Sequence, residues 1–302
     1  MRFLRIPQQI RHSQQIIWLL MAIMLTAVTF ISPTAELPRQ VVDVVFIVDI
    51  TQSMNARDIQ VNGQSISRLE AARQAIQSTL KELPCGSTVG IGLFAAKDAL
   101  LLFNPIELCQ HYSLLNQVVS RLSWRMAWAG DSNIQRGLYS AIGQVAQLDN
   151  KPTLVFITDG EQTINEQYAA PLHARAGKIN GLIIGVGGSQ PVRIPKYNTD
   201  NQQIGYWKSK DVGKKTPIHA KTANDEDYLS QLDETRLREY AAIAKLHMQR
   251  LEPGPPLSEM LLTNTYTRTR VELSDIRWIL AMAALLAVVI PFLFNSLNMR
   301  TK

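Results

Sequence analysis

The chain has 302 residues, of which 46% are hydrophobic, and this is enough for one sizeable core with further segments at its ends. Lysine and arginine outnumber aspartate and glutamate, 31 to 25, which gives a formal net charge of +6. No basic stretch is interleaved with aromatic residues, so the composition does not support nucleic-acid binding. The sequence also lacks a phosphate-binding glycine-rich loop followed by Lys-Ser or Lys-Thr, and we expect no bound nucleotide.

Long apolar runs lie near both ends of the chain. Residues 16–32 are predicted to form a transmembrane helix, and the arginines in residues 1–15 place that tail in the cytoplasm by the positive-inside rule. A cleaved signal peptide is the alternative, although Pro33 makes the following sequence a poor cleavage site. Residues 277–297 predict a second transmembrane helix, with residues 298–302 as a second cytoplasmic tail. The chain is then expected in the inner membrane, with both termini in the cytoplasm and the central part across the membrane, which is the periplasm if the source is a Gram-negative bacterium.

Strand and helix patterns alternate within residues 40–252. Three strand-like segments, at residues 41–49, 153–158 and 181–187, are largely apolar, which is typical of parallel strands that helices cover on both faces. The helical patterns between them predict a doubly wound α/β domain with a mostly parallel, Rossmann-like sheet. The predicted helices cover residues 69–83, 112–122, 134–148, 167–176, 232–246 and 257–262.

Two segments depart from this alternation. Residues 188–228 are polar and contain several prolines, and they are predicted as an inserted loop or small hairpin. Within this insertion, the pair Tyr206 and Trp207 either contacts a partner or packs locally to hold the loop. Residues 253–276 are predicted as a linker to the second apolar run.

Oxygen-bearing side chains lie in three separate loops. The first loop holds Asp49, Thr51 and Ser53, the second holds Ser132, and the third begins with Asp159 in an Asp-Gly pair. Loops at the carboxyl ends of parallel strands meet at one edge of a sheet, so we expect the three to converge. Carboxylate and hydroxyl oxygens are hard ligands that suit Mg²⁺, Mn²⁺ or Ca²⁺. Each loop taken alone also fits an ordinary turn or helix cap.

In this order the residues resemble the metal-ion-dependent adhesion site (MIDAS) of the von Willebrand factor A (vWA) domain family. The family pattern is Asp-x-Ser-x-Ser, then a Thr before a helix, then an Asp-Gly pair. Here Thr51 replaces the first Ser and Ser132 replaces the Thr, and both keep a hydroxyl. Asp131, beside Ser132, is expected to cap the helix that follows.

The resemblance covers residues 41–251 and implies a metal site without catalysis. The implied cofactor is one divalent cation, Mg²⁺ first, with Ca²⁺ or Mn²⁺ as alternatives. An acidic side chain of a protein partner would complete an open position of its coordination shell. The implied ligands are Asp49, Thr51, Ser53, Ser132 and Asp159.

Two apolar runs around one such domain are similar to bacterial membrane-anchored vWA proteins, some encoded with MoxR-type ATPases and others accompanying methanol oxidation systems. The insertion favours the second group. The expected function is therefore assembly or maturation of a periplasmic partner, such as methanol dehydrogenase and its calcium insertion. A structural membrane scaffold in a MoxR-associated stress or envelope complex is the alternative. A metal-dependent hydrolase is less favoured, because no histidine lies in the three oxygen-bearing loops.

The two cysteines, Cys85 and Cys109, do not have the spacing of a zinc site. They flank two further predicted strands, at residues 88–94 and 100–103, and antiparallel pairing of these strands would bring the thiols within reach of a disulfide. An extracytoplasmic compartment permits such a bond. Two buried free thiols are the other interpretation.

Overall fold

The computed structural model describes residues 8–31, 33–61, 63–163, 171–211, 227–252 and 254–300. The chain divides into two compact units. The smaller unit consists of Met1–Arg39 with Arg270–Lys302, and the larger unit is Gln40–Thr269.

Strands and helices are numbered in chain order. The strands are β1 (Thr34–Asp49), β2 (Ile59–Val61), β3 (Gln64–Ile66), β4 (Thr88–Ala95), β5 (Asp98–Glu107), β6 (Thr153–Thr158), β7 (Gly181–Gly185), β8 (Val192–Arg193), β9 (Pro195–Tyr197), β10 (Gln203–Tyr206), β11 (Leu229–Ser230), β12 (His247–Arg250) and β13 (Thr267–Asp275). The helices are α1 (Gln8–Thr29), α2 (Arg68–Glu82), α3 (Leu108–Arg121), α4 (Ile134–Val145), α5 (Glu234–Ala244), α6 (Leu257–Leu261) and α7 (Arg277–Arg300). Short 3₁₀ turns include Gln52–Asn55, Trp124–Met126, Leu172–Arg175 and Ser209–Asp211.

A seven-stranded sheet runs in the order β12-β7-β6-β1-β4-β5, and β13 also pairs with β1. The contacts of β1 with β4 and β6, of β6 with β7, and of β7 with β12 are parallel, whereas β4 and β5 are antiparallel. This arrangement confirms the predicted α/β fold with a mostly parallel sheet. Because β1 lies between β4 and β6, its carboxyl end lies beside the carboxyl ends of both neighbours.

The side chains of β1 alternate between two hydrophobic cores on opposite faces of the sheet. Val44, Phe46 and Val48 are fully buried in one core, which α2, α3 and α6 complete. Val45 and Ile47 are fully buried in the other core, with α4 and α5. Burial on both faces explains why this strand shows no alternation of apolar and polar residues. Each such side chain stabilises the fold by about 1.5–3 kcal/mol, so β1 is a firm support for the loop at its end.

A disulfide joins Cys85 to Cys109, with their Cα atoms 5.3 Å apart. Cys85 lies just before β4 and Cys109 just after β5. The antiparallel register pairs Thr88 with Glu107, and this brings the two cysteines together. The structure therefore has the bonded rather than the free-thiol arrangement.

The described part of the insertion contains short strands. In it, β8 pairs antiparallel with β11, and β9 pairs antiparallel with β10, whereas residues 212–226 lie outside the described residues. The predicted linker at residues 253–276 contains α6 and all of β13. Of the helix predicted at residues 167–176, the first four residues also lie outside the described part, and Leu172–Arg175 is a 3₁₀ turn.

The smaller unit is helical where the sequence predicts transmembrane helices, in α1 and α7. Across the described residues, however, no helix combines the length and the apolar character that a membrane span requires. The prediction of two flanking transmembrane helices is therefore not borne out. The apolar run of α1 begins only at Ile16, about two turns into the helix. The side chains of α7 beyond Pro291 lie outside the described residues.

Candidate metal centre

The three oxygen-bearing loops lie at the same edge of the sheet. Asp49 ends β1, and its register partner in the neighbouring β4 is Phe94. Ser132 forms a bridge with Ala96, immediately beyond β4. Asp159 directly follows β6, the other neighbour of β1. Sheet pairing therefore brings these loops together, because the carboxyl ends of adjacent parallel strands share one edge.

Asp49 organises the first loop through its hydrogen bonds. Its Oδ1 accepts from the N–H and from the hydroxyl of Thr51, at 2.9 and 2.7 Å, and its Oδ2 accepts from the hydroxyl of Thr158 at 2.6 Å. The hydroxyl oxygens of Thr51 and Ser53 are 3.2 Å apart. All four side chains are buried. Because Thr51 donates its proton to Asp49, lone pairs of the Thr51 oxygen remain available to a cation.

Ser132 is held in place through its backbone. Its N–H donates to Oγ1 of Thr163 at 2.7 Å, and its carbonyl accepts from the N–H of Thr163 at 3.0 Å. The next residue, Asn133, caps α4 by accepting from the N–H of Arg136 at 3.0 Å, so the expected cap at Asp131 is wrong. The hydroxyl oxygen of Ser132 is buried, and within the described residues it has no hydrogen-bond partner.

Asp159 is held from two sides. Its Oδ1 accepts from the N–H of Glu161 at 3.0 Å, and its Oδ2 accepts from Nη1 of Arg68 at 2.8 Å. Gly160 has a φ of +76°, and a Cβ at this position would lie 2.8 Å from Cγ of Leu237. Both facts explain why glycine follows Asp159 in the sequence.

Acidic groups are crowded at this buried edge. Burial, and after it the charge of Asp159, raises the pKa of Asp49 to about 7. The same two causes raise the pKa of Glu161 to about 8. Arg68 contacts Asp159 at 2.8 Å and also pairs with Asp58 at 2.7 Å, so its single positive charge is shared between carboxylates. A divalent cation bound here would relieve the repulsion that remains.

The donor set fits a hard divalent cation. In the part of the chain that the structure describes, no group of three or more His, Cys, Asp or Glu side chains is arranged to hold a metal. The candidate site differs from such groups because it combines two carboxylates with three hydroxyls. The hydroxyl of Ser132 is the observation that supports the fit, since a buried hydroxyl without a partner costs about 1–3 kcal/mol and is uncommon in proteins. A cation would give this oxygen its missing partner.

Sequence reasoning missed several groups that shape the site. Arg68 is the first residue of α2, and no local pattern connects it with Asp159. Glu161 and Thr163 follow the Asp-Gly pair closely; Glu161 contacts Asp159 locally, whereas the contact of Thr163 with Ser132 depends on how two loops meet. Thr158 directly precedes Asp159, and its hydroxyl is the one local signal that could have identified a partner of the first loop.

Comparison with known proteins identifies the domain. Residues 44–162 match the family model described as von Willebrand factor type A domain. This segment is similar to a vWA domain. It contains all of the candidate ligands from Asp49 to Asp159.

The chain also resembles two mycobacterial proteins. It is 31% identical over 193 residues to a UPF0353 protein of Mycobacterium leprae strain Br4923, and the match covers 59% of this chain and 53% of that protein. The corresponding protein of strain TN matches to the same extent. The chain thus spans about half the length of the curated relatives it matches.

Two solved structures share the fold. BatB from Bacteroides thetaiotaomicron has a TM-score of 0.55 and 21% identity, over 73% of this chain and 95% of that chain. An aerotolerance-related membrane protein from Bacteroides fragilis NCTC 9343 has a TM-score of 0.53 and 21% identity, over 74% of this chain and 98% of that chain. At this identity the similarity shows the fold alone. None of these names mentions methanol oxidation, so the expected association with that system is not supported.

Proposed function

We propose that this vWA domain is a metal-dependent protein-binding module. In this proposal one divalent cation binds between the three loops. Mg²⁺ is the preferred ion, and Mn²⁺ or Ca²⁺ are the alternatives. The hydroxyls supply neutral oxygen ligands and the two carboxylates supply the charge. The proposed ligands are Asp49, Thr51, Ser53, Ser132 and Asp159.

The hydroxyl of Ser132, which has no hydrogen-bond partner among the residues that the structure describes, is the observation that carries this proposal. The carboxylates of Asp49 and Asp159 already accept hydrogen bonds at both oxygens, so little of their basicity is free for direct ligation. A cation held mainly by neutral oxygens keeps a strong attraction for one more anion. An acidic side chain of a protein partner would provide that anion at an open coordination position.

The proposal contains no catalytic step. His111 contacts the carbonyl of Glu107, and His247 contacts Tyr266. Neither histidine belongs to the three loops, so neither could act as a general base on a water molecule at the cation.

Mn²⁺ binding provides a direct test. Mn²⁺ should bind the purified protein in equilibrium dialysis. The bound Mn²⁺ should still raise the relaxation rate of bulk-water protons, because a water molecule at an open coordination position exchanges with the solvent. Asp49→Ala should abolish binding, whereas Asp149→Ala, at an exposed aspartate beyond α4, should leave it unchanged. Equal Mn²⁺ binding by the wild type and Asp49→Ala would refute the assigned site. Bound Mn²⁺ without water exchange would refute the open position.

The proposed role is assembly or maturation of a protein partner. It is supported by the vWA domain and by the binding geometry described above. One solved relative is described as aerotolerance-related and as a membrane protein, and those words apply to that relative. The proposal names no enzyme as the partner, since nothing in the comparisons points to methanol dehydrogenase.

A structural scaffold is the second candidate. Hydrogen bonds from Thr158 to Asp49 and from Arg68 to Asp159 already join the loops, so a cation could serve only to brace them. A bracing cation would raise the melting temperature without adding an acidic ligand. An acidic side chain that binds the cation would displace the exchanging water and lower the water-proton relaxation rate. If acidic peptides leave the rate of the Mn²⁺-loaded protein unchanged, the scaffold is favoured.

We also propose that the vWA domain works in an oxidising compartment such as the periplasm. The Cys85–Cys109 disulfide supports this, because such bonds are rare in a reducing cytosol. Attachment to the inner membrane with both termini in the cytoplasm stays a prediction. Fractionation of cells, followed by alkylation of the cysteines with and without reduction, tests both statements.

A further inference from the structure

We infer that Arg68 is a positioning residue of the metal centre, which sets the carboxylate of Asp159 and couples it to both ends of the insertion. This inference rests on the proposed function, since it concerns the same cation. It goes further because neither Arg68 nor its other partners, Asp58 and Ser230, belong to the MIDAS pattern. Arg68 touches none of the hydroxyl ligands in the contacts described above, so it would act through Asp159 alone.

Arg68 is fully buried, and its three guanidinium nitrogens all donate hydrogen bonds. Nε contacts both carboxylate oxygens of Asp58, at 3.0 and 3.1 Å. Nη1 donates to Asp159 Oδ2 at 2.8 Å and to Ser230 Oγ at 2.6 Å. Nη2 donates to Asp58 Oδ2 at 2.7 Å and to the carbonyl of Ser230 at 3.3 Å. A buried charge with this many partners is held in one orientation, so Arg68 leaves Asp159 little freedom.

The contacts of Arg68 and Asp58 extend to both ends of the insertion, at Gly188 where it begins and at Ser230 just after it. At the entry, Asp58 accepts from the N–H of Gly188 at 2.8 Å. Beside it, Gly187 has a φ of +130°, and a Cβ there would lie 2.7 Å from Nε of Arg68. At the exit, Ser230 lies in β11 and contacts the guanidinium directly. One planar side chain therefore connects the third metal loop with both ends of the insertion.

These contacts require the planar guanidinium group of Arg68, with its three nitrogens, and not only a positive charge. A lysine at position 68 would keep the positive charge but present a single nitrogen, which cannot reach Asp58, Asp159 and Ser230 together. We therefore expect Arg68→Lys to bind Mg²⁺ roughly tenfold more weakly, in keeping with the loss of a charge-assisted hydrogen bond to Asp159. A residue that only supported the fold would lower the melting temperature and leave the affinity of the folded protein unchanged.

Ser230→Ala tests the coupling between the insertion and the metal site with the smallest structural change. It removes one hydrogen bond to Nη1 and leaves Arg68, Asp58 and Asp159 in place. Because Ser230 contacts none of the proposed ligands, a weaker Mg²⁺ affinity in this variant, by about threefold, would arise indirectly, through Arg68 and the neighbouring Glu161. Ser189→Ala is the matched control, since Ser189 is an exposed serine of the same insertion. It should bind Mg²⁺ like the wild type.

The experiment measures Mg²⁺ titrations by calorimetry on the full chain, well below each melting temperature, together with amide hydrogen exchange at Gly188 and Ser230. The inference predicts weaker binding in Arg68→Lys and Ser230→Ala, and Mg²⁺-dependent slowing of exchange at both amides in the wild type only. Unchanged affinity in Ser230→Ala overturns the inference while leaving the proposed function intact, and does so even if Arg68→Lys fails to fold. A wild type that binds no Mg²⁺ overturns both.

Discussion

Removing the hydroxyl of Ser132 should separate metal binding from folding. In the metal-free protein this oxygen is buried without a hydrogen-bond partner among the described residues. Ser132→Ala therefore removes no protein hydrogen bond and relieves an unsatisfied polar group. Since such a group costs about 1–3 kcal/mol, we expect the metal-free variant to be as stable as the wild type, or about 1 kcal/mol more stable.

With the metal present the sign should reverse. At a Mg²⁺ concentration one hundred times its dissociation constant, the wild type should gain about 2.7 kcal/mol of stability by mass action. If loss of the Ser132 oxygen weakens binding tenfold, the same concentration stabilises Ser132→Ala by only about 1.4 kcal/mol. Ser132→Thr, which keeps a hydroxyl, should retain most of the gain.

Ser87 supplies the matched control, because it is equally buried but its hydroxyl accepts from the N–H of Val42 at 3.0 Å. Ser87→Ala should lose about 1–3 kcal/mol without metal and keep the full Mg²⁺ gain. Urea unfolding in chelator and in excess Mg²⁺ measures all of these quantities. Two results would show that the hydroxyl is not a cation ligand. One is a metal-free Ser132→Ala variant destabilised by more than about 1 kcal/mol; the other is a variant that gains as much stability from Mg²⁺ as the wild type.

Three further predictions concern the support of the site. Burial alone would raise the pKa of Asp58, but hydrogen bonds and charge from Arg68 outweigh it and leave the pKa lowered. The stability from this pair is present above the unfolded-state pKa of about 4 and is lost as the pH falls through the folded-state value, so Asp58→Asn should flatten the acid limb of stability measured against pH. Gly160→Ala should cost about 1–3 kcal/mol in urea unfolding, from its φ of +76° and the leucine of α5 that its Cβ would meet; a loss under about 0.5 kcal/mol would contradict this. Replacing Cys85 and Cys109 together by serine should cost about 3 kcal/mol, for a sequence separation of 24, and reductant should then have no further effect.

The sequence predicted the central sheet well, because its decisive signals are local. In β1 every residue from Val41 to Asp49 is buried, and the largely apolar run, interrupted only by Asp43 before Asp49, indicates this directly. The loop of Asp159 is predicted for a related reason, because a buried strand ends directly before it, whereas Ser132 is predicted from its place before a helix and from the order of the MIDAS residues. Adjacency then follows from parallel pairing, which the alternating pattern implies.

Other features could not be predicted because their causes lie far apart in the chain. Arg68 and Asp159 are 91 residues apart in sequence, and no pattern near either residue predicts their contact. The short strands of the insertion are too brief to show a periodic pattern, and β13 joins the sheet by pairing with β1, which is far from it in sequence. The apolar run at residues 16–32 was long enough to suggest a membrane span, yet over the described residues no helix meets that requirement.

The arrangement of the carboxylates explains why a partner, and not the protein itself, would complete the cation's shell. Asp49 directs its oxygens to Thr51 and Thr158, and Asp159 directs its oxygens to Glu161 and Arg68. Each carboxylate therefore orients other groups and shares its charge before any cation arrives. The hydroxyl oxygens that remain are neutral, so they hold a divalent cation without neutralising it. The residual positive charge is what would make an acidic side chain from outside a preferred ligand.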